Sequence, residues 1–153
     1  MAARKVARLS DRDSFDAVGS RGTSLMTMQP KNDSKQDRPP RRVLVVDDDI
    51  EAGSALAKVL ELKGFDVVIH RDGTSALEHL RAGSQPNFIL TDLILPDLDG
   101  REVARQARLL APEARIGLIT GWSLEEEPDP SIVDAVFLKP IEIRVVISTF
   151  LDP

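Results

Sequence analysis

Five short apolar runs, each ending in polar side chains, set the strongest constraint on what this chain can fold into. Residues 43–46, 65–69, 88–90, 116–119 and 135–138 are shorter than a stable helix and nearly uninterrupted by polar residues. Such runs suit strands covered on both faces. Between them the apolar period lengthens to that of a helix. Residues 50–63 place Ala52, Leu56, Val59 and Leu60 on one inward face, and Gly64 follows as a stop. Residues 74–81 turn Ala76, Leu77 and Leu80 inward before Gly83, residues 101–110 carry Val103, Ala107 and Leu110 on one stripe before Pro112, and residues 141–151 form a closing helix. Strands alternating with helices run parallel through right-handed crossovers, with helices on both faces. The expected fold is α/β, a doubly wound five-stranded parallel sheet. In such sheets ligands bind beyond the carboxyl ends of the strands, where strand order reverses.

The polar residues at those ends carry the chemistry. The first run stops at Asp47, Asp48 and Asp49, the third at Asp92, the fourth at Thr120 and the fifth at Lys139, followed by Pro140. Crowded carboxylates raise one another's pKa unless a cation neutralises them. A hard divalent ion does this, and Mg²⁺ takes one or two carboxylates, keeps several waters and bridges to phosphate oxygens. An aspartate can attack phosphorus to form an acyl phosphate, while an ammonium and a hydroxyl hold the remaining phosphoryl oxygens.

In this order, VLVVDDD, TDLILPDLDG, LIT and FLKP resemble the response-regulator receiver family over nearly all of residues 42–153. The resemblance implies a flavodoxin-like sheet of order 2-1-3-4-5 and a phosphoprotein of a two-component or phosphorelay system. Asp92 would take a phosphoryl group from a histidine kinase or histidine phosphotransfer protein. Asp48 and Asp92 would ligate Mg²⁺, Asp47 would act mostly through a metal-bound water, and the backbone carbonyl of Ile94 would be a further ligand. Thr120 would hydrogen-bond the phosphoryl group and move with it, Lys139 would pair with it, and a cis bond before Pro140 would aim the lysine inward. Catalysis would be limited to self-phosphotransfer and self-dephosphorylation.

The chain also departs from that family. Pro128 and Pro130 interrupt the segment GWSLEEEPDPSIVD, so the helix expected between the fourth and fifth strands should be short or missing. Three positions before Lys139, where relatives carry an aromatic switch, stands Val136, and Phe137 should point to the opposite face. Ile94 and Trp122, two residues beyond Asp92 and Thr120, are bulky and apolar and would slow water's attack on the phosphoryl group.

Composition narrows the alternatives. No cysteine is present, which removes disulfides, thiolate metal sites and thiol nucleophiles. Residues 1–42 hold ten Lys or Arg against five Asp, and residues 43–153 hold ten against twenty Asp or Glu. A basic, disordered tail over residues 1–41 is therefore expected before an acidic domain that is a poor nucleic-acid binder. With no DNA-binding domain, no membrane span and no apolar signal core, the expected setting is the cytoplasm and the expected output is protein contact. His70 and His79 lack a further ligand at metal spacing and should be structural or surface residues. Two rivals remain. A small haloacid-dehalogenase-like phosphatase would use Asp47 of the Asp47 and Asp49 pair as nucleophile, and a pseudo-receiver would bind partners without phosphorylation.

Overall fold

A computed structural model describes residues 39–151, so the expected tail lies outside the described residues as far as position 38. Five strands, β1 (Arg42–Val46), β2 (Asp66–His70), β3 (Phe88–Asp92), β4 (Arg115–Thr120) and β5 (Ala135–Leu138), alternate with helices α1 (Ile50–Leu62), α2 (Gly73–Arg81), α3 (Gly100–Leu110) and α4 (Ile143–Leu151). All strand pairs are parallel and the sheet order is β2-β1-β3-β4-β5.

The unbroken apolar runs follow from this double cover, because alternate side chains leave a strand on opposite faces. Val43 and Val45 join Leu56 and Leu60 of α1 and Val146 and Phe150 of α4. Leu44 and Val46 face the other way, into a core completed by Leu77 and Leu80 of α2 and Val103 and Ala107 of α3. Three aspartates start helices by accepting backbone N–H groups: Asp49 from Ala52, Asp72 from Ser75 and Asp99 from Arg101.

The inward face expected for α1 needs correction. Its buried residues are Gly53, Leu56, Ala57 and Leu60, whereas Ala52 is exposed and Val59 half-buried. The stripe at i, i+3, i+4 and i+7 seats the helix on its small residues, and Ala52 and Val59 rotate out to line a groove.

Among the described residues no helix lies between β4 and β5. Arg108 of α3 holds the returning segment instead. Its guanidinium donates to the carbonyls of Ile132 at 2.8 Å, Ala114 at 2.6 Å and Pro112 at 3.1 Å, and to the Asp134 carboxylate at 2.9 Å. Asp134 in turn accepts the Ile116 N–H. Arg108→Met keeps much of the side-chain bulk but strands these acceptors, so it should lower unfolding free energy by about 2–3 kcal/mol. Urea unfolding should show the midpoint falling at unchanged slope.

Candidate functional site

The sheet order reverses between β1 and β3, and the acidic residues meet there. Asp47 directly follows β1 and is only 2% exposed, while Asp92 ends β3 and is also buried. Asp48 is exposed beside them. Each of the three offers a carboxylate oxygen, and these oxygens all lie within 4.8 Å of one another. Lys139, one residue past β5, places Nζ 3.2 Å from Asp92 Oδ2. The Lys139–Pro140 peptide is cis.

The electrostatics record this crowding. Burial pushes the Asp47 carboxyl above its ordinary value, Asp92 and Asp48 push the same way, and neither the N–H of Asp49 nor Lys139 cancels the rise. Burial alone would lower the Lys139 ammonium, but its hydrogen bond with Asp92 and the attraction of Asp92, Asp47 and Asp49 raise it overall. Two buried acids facing one lysine leave negative charge unmatched, and the donor set of all-oxygen carboxylates fits a hard divalent cation.

Thr120 ends β4 and is buried. Its hydroxyl donates to the Trp122 carbonyl at 3.0 Å. Ile94 and Trp122 stand at the rim with 56% and 60% of their surface exposed, and Ile94 pairs with Asp99 in an isolated antiparallel bridge. Val136 is half-buried against the core on the α2 and α3 side, and Phe137 is buried on the other. His70 gives its carbonyl to the Asp47 N–H. Its half-buried ring faces His79 at 5.0 Å between centroids, and burial, then His79, lowers its pKa.

Two positioning features escaped the sequence. The Asp97 carboxylate accepts the N–H groups of Gly73 and Thr74 and the Thr74 hydroxyl, tying the loop after Asp92 to the start of α2. Burial is the largest single influence and opposes ionisation, but these bonds and the Leu98 N–H together outweigh it and hold Asp97 down to about 2. A depressed acid contributes stability above its unfolded value and loses it as pH falls through the folded one. Asp97→Asn should therefore cost about 1 kcal/mol near neutrality. The gap from wild type should close as pH falls from 3.8 towards about 2, which urea titrations at stepped pH would read. The second feature is Gly100, where an added Cβ would lie 2.1 Å from the Asp92 carbonyl oxygen.

A groove of about 310 Å³ opens beside the acids, between α1 and the chain after β5, lined by Asp47, Ala52, Val59, Lys139, Pro140 and Ile141 among others.

The model of the response regulator receiver domain matches residues 43–145. The chain belongs to that family. The response regulator receiver protein CpdR of Brucella abortus is 33% identical over 112 residues, covering 71% of this receiver chain and 92% of CpdR. By contrast, the chain spans 35% of the length of the mycobacterial response regulators named MprA. Among solved structures, a CheY-like receiver domain protein from Methanospirillum hungatei superposes with a TM-score of 0.69 at 26% identity, covering 74% of this chain and 93% of its own. A response regulator from Burkholderia pseudomallei, solved with a phosphorylated aspartic acid, calcium ion and citrate, gives 0.67 at 25% identity, covering 72% of this chain and 66% of that one. Receivers are signalling modules, and members of the family usually bind Mg²⁺ in an acidic pocket; here that pocket is Asp47, Asp48 and Asp92. No helix among the described residues is long and apolar enough to cross a membrane.

Proposed function

We propose that residues 42–153 receive a phosphoryl group on Asp92 from the phosphohistidine of a histidine kinase or histidine phosphotransfer protein. The observation that carries this reading is the placement of the Lys139 ammonium 3.2 Å from an aspartate that shares the strand-order reversal with two further carboxylates. An Asp92 carboxylate oxygen forms the new bond to phosphorus as the phosphorus–nitrogen bond breaks, and the departing imidazole takes up a proton. Asp47, Asp48, Asp92 and the Ile94 carbonyl would hold Mg²⁺, which when bound offsets the charge of carboxylates and phosphoryl oxygens together. Lys139 screens the same oxygens from the side of β5. Thr120 turns its hydroxyl from the Trp122 carbonyl to the phosphoryl group, because a charged acceptor makes a hydrogen bond roughly twice as strong as a neutral one.

The groove lined by Asp47 and Lys139 would seat the donor beside the lysine that pairs with Asp92. The Burkholderia relative's phosphorylated aspartic acid supports the same chemistry. Asp49 spends its carboxylate on the start of α1, which weakens a phosphatase built on Asp47 and Asp49. The setting proposed for this transfer is the cytoplasm, and the proposed output is contact with another protein.

Acetyl phosphate with Mg²⁺, followed by mass spectrometry, tests the assignment. Wild type should gain one phosphate and Asp92→Asn none; label that survives in Asp92→Asn sinks the reading. Loss of label should be faster in Ile94→Ala and Trp122→Ala, since both side chains shield the approach of water.

A further inference from the structure

Both halves of the acidic pocket are fastened to one stretch of five residues, His70 to Thr74. At its start the His70 carbonyl accepts the Asp47 N–H at 3.0 Å, which holds the chain that carries Asp47 and Asp48. At its end the first turn of α2 meets the loop that follows Asp92. Asp97 Oδ1 accepts the Gly73 N–H at 2.9 Å, and Oδ2 accepts the Thr74 N–H at 2.8 Å and the Thr74 hydroxyl at 2.5 Å. Packing closes the same joint, since a Cβ added to Gly73 would lie 3.0 Å from Leu98 Cδ1 and 2.6 Å from Val103 Cγ2.

The loop is a small hairpin. Its base is shut by the Gly100 N–H on the Leu93 carbonyl at 2.7 Å and by the bridge between Ile94 and Asp99. Among the described residues no backbone N–H takes the Ile94 carbonyl, so it is free to serve as a ligand. Those contacts fix where the hairpin starts but not which way its turn leans, and Asp97 stands in the turn. Bonds from N–H groups to an ionised carboxylate are about twice as strong as neutral ones, and a helix N-terminus adds its dipole, so the joint to α2 is stiff. We infer that Asp97, together with Thr74, is a positioning residue for the acidic pocket: it sets the hairpin after Asp92 at a fixed place relative to Asp47, and so holds Asp92 and the Ile94 carbonyl where a divalent cation needs them. Partners that orient metal ligands from behind are worth about 10- to 100-fold in metal affinity. The inference rests on the proposed Mg²⁺-dependent phosphorylation of Asp92.

Mg²⁺ affinity is read in the full chain, apart from any phosphorylation, from the rise of the thermal midpoint with Mg²⁺ concentration. Asp97→Ala removes all three bonds to α2 and should weaken Mg²⁺ binding about tenfold. Thr74→Val removes only the hydroxyl's bond and should weaken it about threefold. Thr74→Ser keeps the hydroxyl and should match wild type. Phosphate uptake from acetyl phosphate, at Mg²⁺ concentrations that saturate each variant, should still lag in Asp97→Ala, because Asp92 shifts along with the ion's ligands. Arg108→Met is the control for lost stability, since its missing bonds lie at the return to β5 and it should bind Mg²⁺ as wild type does. Wild-type Mg²⁺ affinity in Asp97→Ala, or an equal loss of affinity in Arg108→Met, overturns the positioning role and leaves the phosphorylation of Asp92 standing. A wild-type chain that neither responds to Mg²⁺ nor takes up phosphate overturns the proposed function, and the positioning role with it.

Discussion

Gly100→Ala should cost this receiver both stability and phosphorylation. The first residue of α3 sits under the end of β3, where its ideal Cβ would lie 2.1 Å from the Asp92 carbonyl oxygen and 2.7 Å from Leu93 Cα. These are backbone atoms and cannot swing aside as a side-chain tip would. Gly100 also donates its N–H to the Leu93 carbonyl at 2.7 Å, so the helix start and strand end are fastened together at this point. A methyl group there has to push α3 and β3 apart, with an expected loss of about 3 kcal/mol. The functional loss should be larger than the stability loss predicts. Displacing a reacting group by about 1 Å can slow a positioned reaction roughly 100-fold. The measurement is the rate of phosphate uptake from acetyl phosphate at a temperature where urea unfolding shows the variant still folded. Wild-type uptake and an unchanged urea midpoint together would mean that the close approach is not a constraint.

Gly100 also marks the limit of what the sequence disclosed. Within TDLILPDLDG it is one glycine ahead of a helical period, which is a local property; the contact with Asp92 depends on how α3 returns to the sheet. The same division runs through the molecule. Alternation of short apolar runs with helical periods determines strands and helices because each run reflects burial along its own length, and the ends of parallel strands converge by topology alone. Asp47, Asp48, Asp92 and Lys139 were therefore legible as a group before any coordinate. Arg108 and Asp97 were not, since the partners that tie them across the fold, Ile132 and Asp134 for the one and Gly73 and Thr74 for the other, lie more than twenty residues away, and any surface arginine or loop aspartate has the same local pattern. The inward face of α1 was misread because Ala52 and Val59 fit helical spacing with Leu56 and Leu60 as well as Gly53 and Ala57 do, and Gly53, with no side chain, carries no apolar signal, although the helix packs through it. The direction of the Thr120 hydroxyl, towards Trp122, is a torsion that no spacing encodes.

Asp47→Asn should make the Mg²⁺-free chain more stable while weakening its response to Mg²⁺. The carboxylate is almost wholly buried, its pKa is raised first by that burial, and Asp92 and Asp48 add repulsion. A raised acid is easier to hold folded when protonated, so its contribution is favourable below its unfolded value of 3.8 and is lost as pH rises through the folded value. At neutral pH the site thus carries the cost of a buried, poorly compensated charge. Asparagine removes the charge yet keeps an oxygen to accept the Asp49 N–H that Asp47 holds at 2.9 Å. The gain should be about 1–2 kcal/mol, in the range seen when a functional site is traded for stability. It should vanish as the pH is lowered below 3.8, where wild type is itself protonated. Mg²⁺ at ten times its dissociation constant should stabilise wild type by about 1.4 kcal/mol through binding linkage. The variant should show clearly less of this at the same Mg²⁺ concentration, together with slower phosphate uptake. Thermal unfolding with and without Mg²⁺ separates the two halves. A variant no more stable than wild type in chelator would show that Lys139 already compensates the acids, whereas a variant that responds to Mg²⁺ as fully as wild type would show that Asp48 and Asp92 hold the ion without help from Asp47.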